Sequence, residues 1–270
     1  MEQRIFFPDV KPSHAHSLIM DSPLPPRAKT KISIITVVYN GADTLERTIL
    51  SVLKQTYSRI EYIIIDGGSK DGTVDIIKKY QDRIAYWVSE SDEGIYDAMN
   101  KGMRYASGDW IYFLGSDDIL HNVLHQIIPY FIDPDAIYYG DVMMTHSGKR
   151  FCGRMNNFSI LKFNICHQAI FYPRQVYTRK NYQPRFKVYA DYVMNLECWT
   201  DPASPFIYLD RVIADYNELG FSGQTDDLVF FQERRQLVRQ LFSFPLYIFY
   251  LLRIETAYQI KKYCTAHGLF

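Results

Sequence analysis

Over residues 31–120, short apolar runs alternate with amphipathic stretches, and three of the runs end on small, polar or acidic residues. Ile32–Val38 is apolar and β-branched, the composition of a strand buried on both faces. Leu45, Ile49, Val52 and Leu53 recur at helical spacing and predict a helix over 43–55. A second strand is expected over 60–65, a helix over 73–80, a third strand over 84–88, a helix over 95–105 and a fourth strand over 110–114. Strands alternating with helices imply right-handed crossovers and a mostly parallel sheet, an α/β fold. Ligands of such sheets bind beyond the carboxyl ends of the strands. Those ends read Val38-Tyr39-Asn40-Gly41, Asp66-Gly67-Gly68-Ser69 and Gly115-Ser116-Asp117-Asp118, so one sheet edge carries most of the chemistry.

Each of these pieces has a structural and a chemical reading. Glycines in Asp66-Gly67-Gly68-Ser69-Lys70-Asp71-Gly72-Thr73 let backbone approach a ligand, while Asp71 or Thr73 also suits a helix N-cap. Adjacent Asp117 and Asp118 repel one another unless a cation sits beside them, and Mg2+ or Mn2+ bridging to phosphate meets that need; a solvated acidic turn is the plainer alternative. Ser91-Asp92-Glu93-Gly94-Ile95-Tyr96-Asp97-Ala98-Met99-Asn100-Lys101-Gly102 opens a helix with unusual polarity. Lys101 and that helix start suit phosphate, or Asp97 and Lys101 form an i,i+4 pair.

Taken together and in order, Thr36-Val37-Val38-Tyr39-Asn40, the Asp66–Thr73 segment, the Asp92–Gly102 segment and Gly115-Ser116-Asp117-Asp118 resemble the family 2 glycosyltransferases of GT-A fold. The resemblance is strongest over 31–120 and continues to about 225. It implies an inverting, non-processive enzyme of the bacterial surface-polysaccharide type that moves a hexose or N-acetylhexosamine from a nucleotide-sugar, UDP-linked, with Mn2+ or Mg2+. It implies that Thr36, Val38 and Asn40 lie along the nucleotide with Tyr39 near the base. Asp66 would hydrogen-bond the base, with Gly67 and Gly68 in the same turn. Asp97, Asn100 and Lys101 would face the donor. Ser116 and Asp117 would stand at the ribose or the metal shell, and Asp118 would bind the metal directly. The family often has an acidic or amide residue two before the second aspartate; here Gly115-Ser116 precede the pair, which leaves more of the metal binding to Asp117.

In the second half, Tyr189-Ala190-Asp191-Tyr192-Val193-Met194-Asn195-Leu196 resembles the family segment that supplies a catalytic carboxylate, and makes Asp191 the expected base, with a helix N-cap as its alternative. His167 and Gln168, in an apolar run read as a strand over 165–172, and Ser222, in Gly220-Phe221-Ser222-Gly223, resemble acceptor- or phosphate-side features. A further strand is expected over 206–213 and a helix over 187–199. Residues 1–30, with five prolines, read as an irregular arm, 31–225 as the catalytic domain with a donor half (31–120) and an acceptor half (121–225), and 226–270 as a helical extension broken at Pro245. Its stretch 241–252 is apolar, aromatic and flanked by Arg and Lys. It is too short to span a bilayer and suits either a membrane surface, as a lipid-linked saccharide acceptor would require, or a packed interface.

Thirty basic and thirty acidic residues balance, which leaves no electrostatic footprint for nucleic acid. Cys152, Cys166, Cys198 and Cys264 lack CxxC spacing and suggest a reducing compartment. No secretory signal and no long apolar run is legible, so a cytoplasmic protein, peripheral on the inner membrane face, is expected. No GxGxxG follows the first strand, which argues against a dinucleotide oxidoreductase, and Trp87, Trp110 and Trp199 lack the Gln-x-x-Arg-Trp context of a processive synthase. A non-catalytic sugar-nucleotide-binding or scaffold protein of the same fold is the remaining rival.

Overall fold

The computed structural model describes residues 16–17 (backbone only), 30–220, 225 and 227–259. The expected arm therefore lies outside the described residues, apart from a short edge strand and Thr30, and so does Ser222. In chain order the strands are β1 (His16–Ser17), β2 (Ile32–Val38), β3 (Ile60–Asp66), β4 (Tyr86–Ser89), β5 (Trp110–Phe113), β6 (Ile119–Leu120), β7 (Ile137–Met144), β8 (Arg150–Phe151), β9 (Ile170–Pro173) and β10 (Phe206–Tyr216). The helices are α1 (Leu45–Leu53), α2 (Thr73–Lys79), α3 (Ile95–Tyr105), α4 (Leu124–Ile127), α5 (Asn157–Ile160), α6 (Val176–Arg179), α7 (Ala190–Trp199), α8 (Leu228–Leu241) and α9 (Phe244–Phe249), with a π-helical turn at Tyr250–Glu255.

One sheet runs β1-β10-β7-β9-β5-β2-β3-β4, so the donor and acceptor halves share it. β4, β3, β2 and β5 are mutually parallel, as are β7, β10 and β1. β9 is antiparallel to both neighbours, β5 and β7. That reversal brings the start of β9 to the edge where β5 and β7 end. β2 alternates between two cores: Ile32, Ile34 and Val38 pack on the face of α1 and α4, while Ile35 and Val37 pack on the face of α3 and α7. Burial on both faces explains why β2 and β3 read as continuous apolar runs.

The acceptor half departs from expectation in three places. Ile137–Met144 is a full strand inside the sheet, between β10 and β9, unanticipated because Gly140 and Asp141 interrupt the apolar run. The expected strand over 165–172 begins only at Ile170, after a 3-10 turn at His167–Ala169. The helix expected over 187–199 begins at Ala190. Asp227 sets that start by accepting from the N–H groups of Val188 (2.9 Å) and Tyr189 (3.1 Å), which would otherwise be unpaired at the helix entry.

Pro245 sits in the first turn of α9 and accounts for the break after α8. The extension packs on the core through Phe230, whose ring meets Tyr189 and Tyr192, and through buried Val238, Phe242 and Tyr250.

At the opposite end of the sheet Glu61 joins three segments. Its carboxylate accepts from Lys31 Nζ (2.6 Å), Ser33 Oγ (2.6 Å), Ser107 N (2.7 Å) and Ser107 Oγ (2.6 Å). Burial alone would raise its pKa, but the donors from Lys31, Ser107 and Ser33 outweigh it and hold the carboxyl at about 2. Since the folded value lies below the ordinary 4.5, this stabilisation is fully present above pH 4.5 and is lost as the pH falls towards 2. Glu61→Gln turns one acceptor oxygen into a donor facing other donors. It is expected to cost about 2 kcal/mol in urea unfolding at pH 7, with the gap to wild type closing below pH 4.

Candidate active site

The loaded edge is assembled from both halves of the chain. Asp118, at the turn after β5, is 1% exposed. Its Oδ2 accepts from Gln168 Nε2 at 2.6 Å and its Oδ1 from the Asn217 N–H at 2.9 Å. Asn217 Nδ2 also donates to Asp117 Oδ2 at 2.8 Å. Asn217 reaches the pair because β6, immediately after Asp118, pairs with the end of β10. Burial and the neighbouring Asp117 carboxylate push the Asp118 pKa up to about 6, against the pull of Asn217, Gln168 and His167.

Gly115 makes the arrangement sterically feasible. A Cβ there would overlap Asp118 Oδ2 and stand 3.3 Å from Asp117 Oδ1, so both carboxylates converge over its bare backbone. Gly115→Ala is expected to lower stability by about 1–3 kcal/mol in chemical denaturation, because Asp118 must leave its bonds to Gln168 and Asn217.

Asp191 stands in the first turn of α7 and is 5% exposed. Its Oδ1 accepts from the Tyr192 N–H (2.8 Å) and stands 3.0 Å from Tyr96 Oη, whose single proton is shared with Val188 O (2.5 Å). Its Oδ2 accepts from Asn164 Nδ2 (3.0 Å) and faces His167 Nδ1 at 3.4 Å. The 3-10 turn before β9 thus joins the two acidic centres, with His167 on Asp191 and Gln168 on Asp118. Asp191 is thus a nearly buried carboxylate held by neighbours on both of its oxygens.

The donor-side residues divide. Tyr39 is 65% exposed, beyond the end of β2. Asn40, at a left-handed φ of 50°, receives Lys70 N on its side chain (3.0 Å) and donates its own N–H to Ser69 Oγ (2.7 Å), tying β2 to the β3 turn. Gly67 and Gly68 lie in that turn, and Ser116 packs near Gly41. Val38 is buried in the core at the strand end.

Four expectations need correction. Thr36 is fully buried with its hydroxyl bonded to Tyr62 Oη (3.2 Å), because its place in the strand points it into the core rather than along the edge. Asp66 is fully buried and already accepts from Gly68 N, Ser69 N, Ser69 Oγ and Ser89 Oγ, so its carboxylate holds the turn. Asn100 is closed on the backbone of Tyr182 through both ends of its amide. Lys101 pairs with Glu90 (3.2 Å) and Asp97 (3.5 Å) and donates to Ser91 O, pinning α3 to the end of β4; Asp97 also accepts from Glu93 N.

Tyr96, Asn164 and Asn217 had no role in the sequence reading. Tyr96 lies inside the Asp92–Gly102 segment, and Asn217 follows β10, which runs three residues past the expected strand end at 213.

The model of the family "Glycosyl transferase family 2" matches residues 33–193. A "PGL/p-HBAD biosynthesis glycosyltransferase" of Mycobacterium tuberculosis (strain ATCC 25177 / H37Ra) is 37% identical over 202 residues, covering 72% of this chain and 79% of that protein. Among solved structures, S. aureus TarS superposes with a TM-score of 0.65 at 17% identity, over 78% of this chain but only 39% of TarS. Its fragment 1–349 in complex with UDP-GlcNAc gives 0.61 at 15% identity, over 77% of this chain and 65% of the fragment. The mannosyltransferase PcManGT from Pyrobaculum calidifontis, in complex with GDP-Man and Mn2+, gives 0.58 at 15%, over 81% of this chain and 66% of that one. Fold and edge together define a glycosyltransferase of GT-A fold. The chain belongs to glycosyl transferase family 2.

Proposed function

We propose that this glycosyltransferase moves one hexose or N-acetylhexosamine from a UDP-sugar to a saccharide acceptor, with inversion and without processivity. The observation that carries this is the joining of the Asp117-Asp118 pair to Asp191 through His167 and Gln168. TarS and PcManGT, complexed with a UDP- and a GDP-sugar, support a nucleotide-sugar donor on the same fold.

The residues fit a divalent cation. Two carboxylates converge over Gly115, and burial followed by the neighbouring Asp117 charge raises the Asp118 pKa, both of them penalties on its anion that a cation relieves. Among the described residues no group of three or more His, Cys, Asp or Glu encloses a metal. Two protein carboxylates suit Mg2+ or Mn2+, hard cations that take oxygen ligands and need no all-protein cage. Asp117 and Asp118 would hold it, and it would supply positive charge against the departing diphosphate.

Asp191 Oδ2 takes the proton of the acceptor hydroxyl as that oxygen bonds the anomeric carbon and the bond to diphosphate breaks. Tyr96, Asn164 and the Tyr192 N–H keep the carboxylate aimed during the transfer.

The acceptor we assign is a lipid-carried saccharide in surface-polysaccharide synthesis, with the protein on the inner face of the cytoplasmic membrane. Exposed Phe244 and Leu252 near Arg253 in the extension support a surface contact, and no helix among the described residues is long and apolar enough to cross a membrane. The test is incubation with α-configured UDP-sugars and lipid-linked saccharide acceptors, followed by NMR of the product. A single β-linked sugar is expected; an α-linkage overturns inversion, and repeated addition overturns the non-processive reading.

A further inference from the structure

Asp66, fully buried, has four donors on its carboxylate from its own turn and from Ser89, which leaves the reading of the nucleobase to another group. The residue after it is Gly67, and the space its missing side chain leaves is filled from a different strand end. A Cβ on Gly67 would stand 2.6 Å from Asp92 Oδ2 and 3.4 Å from Tyr39 Cδ2. An acidic group and an aromatic ring therefore converge over one glycine, at the edge where β2, β3 and β4 end.

The two oxygens of Asp92 have different situations. Oδ1 accepts from the Gly94 N–H at 2.8 Å, which shapes the entry to α3 at a left-handed glycine. Oδ2 accepts no hydrogen bond among the described residues, although the side chain is half-buried. Tyr39 beside it is a large ring left 65% exposed. A half-buried acceptor without a donor beside an uncovered aromatic face is the complement of a flat heterocycle that carries an N–H on its edge.

Resting on the donor-site reading above, we propose that Asp92 and Tyr39 form the nucleobase pocket and that Asp92 selects bases with a ring N–H, uracil or guanine. Tyr39 stacks on the base. Asp92 Oδ2 accepts the ring N–H, N3 of uracil or N1 of guanine. Cytosine and adenine present a bare ring nitrogen at that position, which faces the carboxylate acceptor to acceptor and is rejected. Gly67 is required because a side chain there would displace Asp92 Oδ2 from its place beside the Tyr39 ring.

The test is calorimetric titration of the wild-type chain and of Asp92→Asn with UDP, GDP and CDP in the presence of Mn2+. Asparagine keeps an oxygen for the Gly94 N–H, so the entry to α3 is preserved, and places an NH2 where Oδ2 stood. Wild type is expected to bind UDP or GDP at least about tenfold tighter than CDP. A preference for UDP narrows the base to a pyrimidine with an N3–H, and a preference for GDP to guanine. In Asp92→Asn that preference is expected to collapse about tenfold or more, because the amide repels a ring N–H and donates to N3 of cytosine. A purely structural role lowers all three affinities together and leaves the ratio in place. An unchanged ratio with intact wild-type binding overturns this inference alone. Absence of any nucleotide binding to wild type overturns the donor-site reading and this inference with it.

Discussion

Asp191→Asn is expected to lower transfer by about a thousandfold while nucleotide affinity stays within about twofold. The amide preserves the size of the side chain and an oxygen for Tyr96 and Tyr192, but it cannot take a proton. A carboxylate that merely capped α7 would give a different result. Its replacement would cost about 1 kcal/mol of stability and leave turnover near wild type. Single-turnover rates, paired with nucleotide titration on the same preparation, separate the two.

Asp118→Ala is expected to weaken Mn2+-dependent UDP binding by at least about a hundredfold, roughly 2.7 kcal/mol. Removal of the carboxylate takes away one of two converging anions and leaves Gln168 Nε2 and the Asn217 N–H without their acceptor. Binding measured with a chelator should change far less, since the lost interaction passes through the cation. If affinity with Mn2+ is undiminished, Asp118 holds only the loop, and the cation is bound elsewhere.

The donor half was legible because its information is local. Ile32–Val38 and Ile60–Asp66 are buried on both faces, so continuous apolar runs mark them, and each ends on a turn residue whose chemistry is visible in one dimension. The acceptor half depends on pairings that no short window contains. His167 and Gln168 reach the edge only because β9 runs against its neighbours, and Asn217 reaches Asp117 and Asp118 only because β6 doubles back onto β10. Asp66, Asn100 and Lys101 teach the converse lesson. Polar residues in a motif can hold the motif's own backbone, and only the bonding partners distinguish that from a group facing a ligand. Asp92 stands in the sequence only as one polar residue of a helix opening. Its second oxygen acquires meaning from Gly67 and Tyr39, which lie 25 or more positions earlier in the chain.

The central claim is that the strand-end edge binds a nucleoside diphosphate together with a divalent cation, and calorimetric titration of the purified wild-type chain with UDP, with Mn2+ and then with chelator, tests it most directly. The account predicts saturable one-to-one binding that needs Mn2+ and disappears in Asp118→Ala. Equal binding with and without the cation, or no binding of UDP or GDP under either condition, would contradict it.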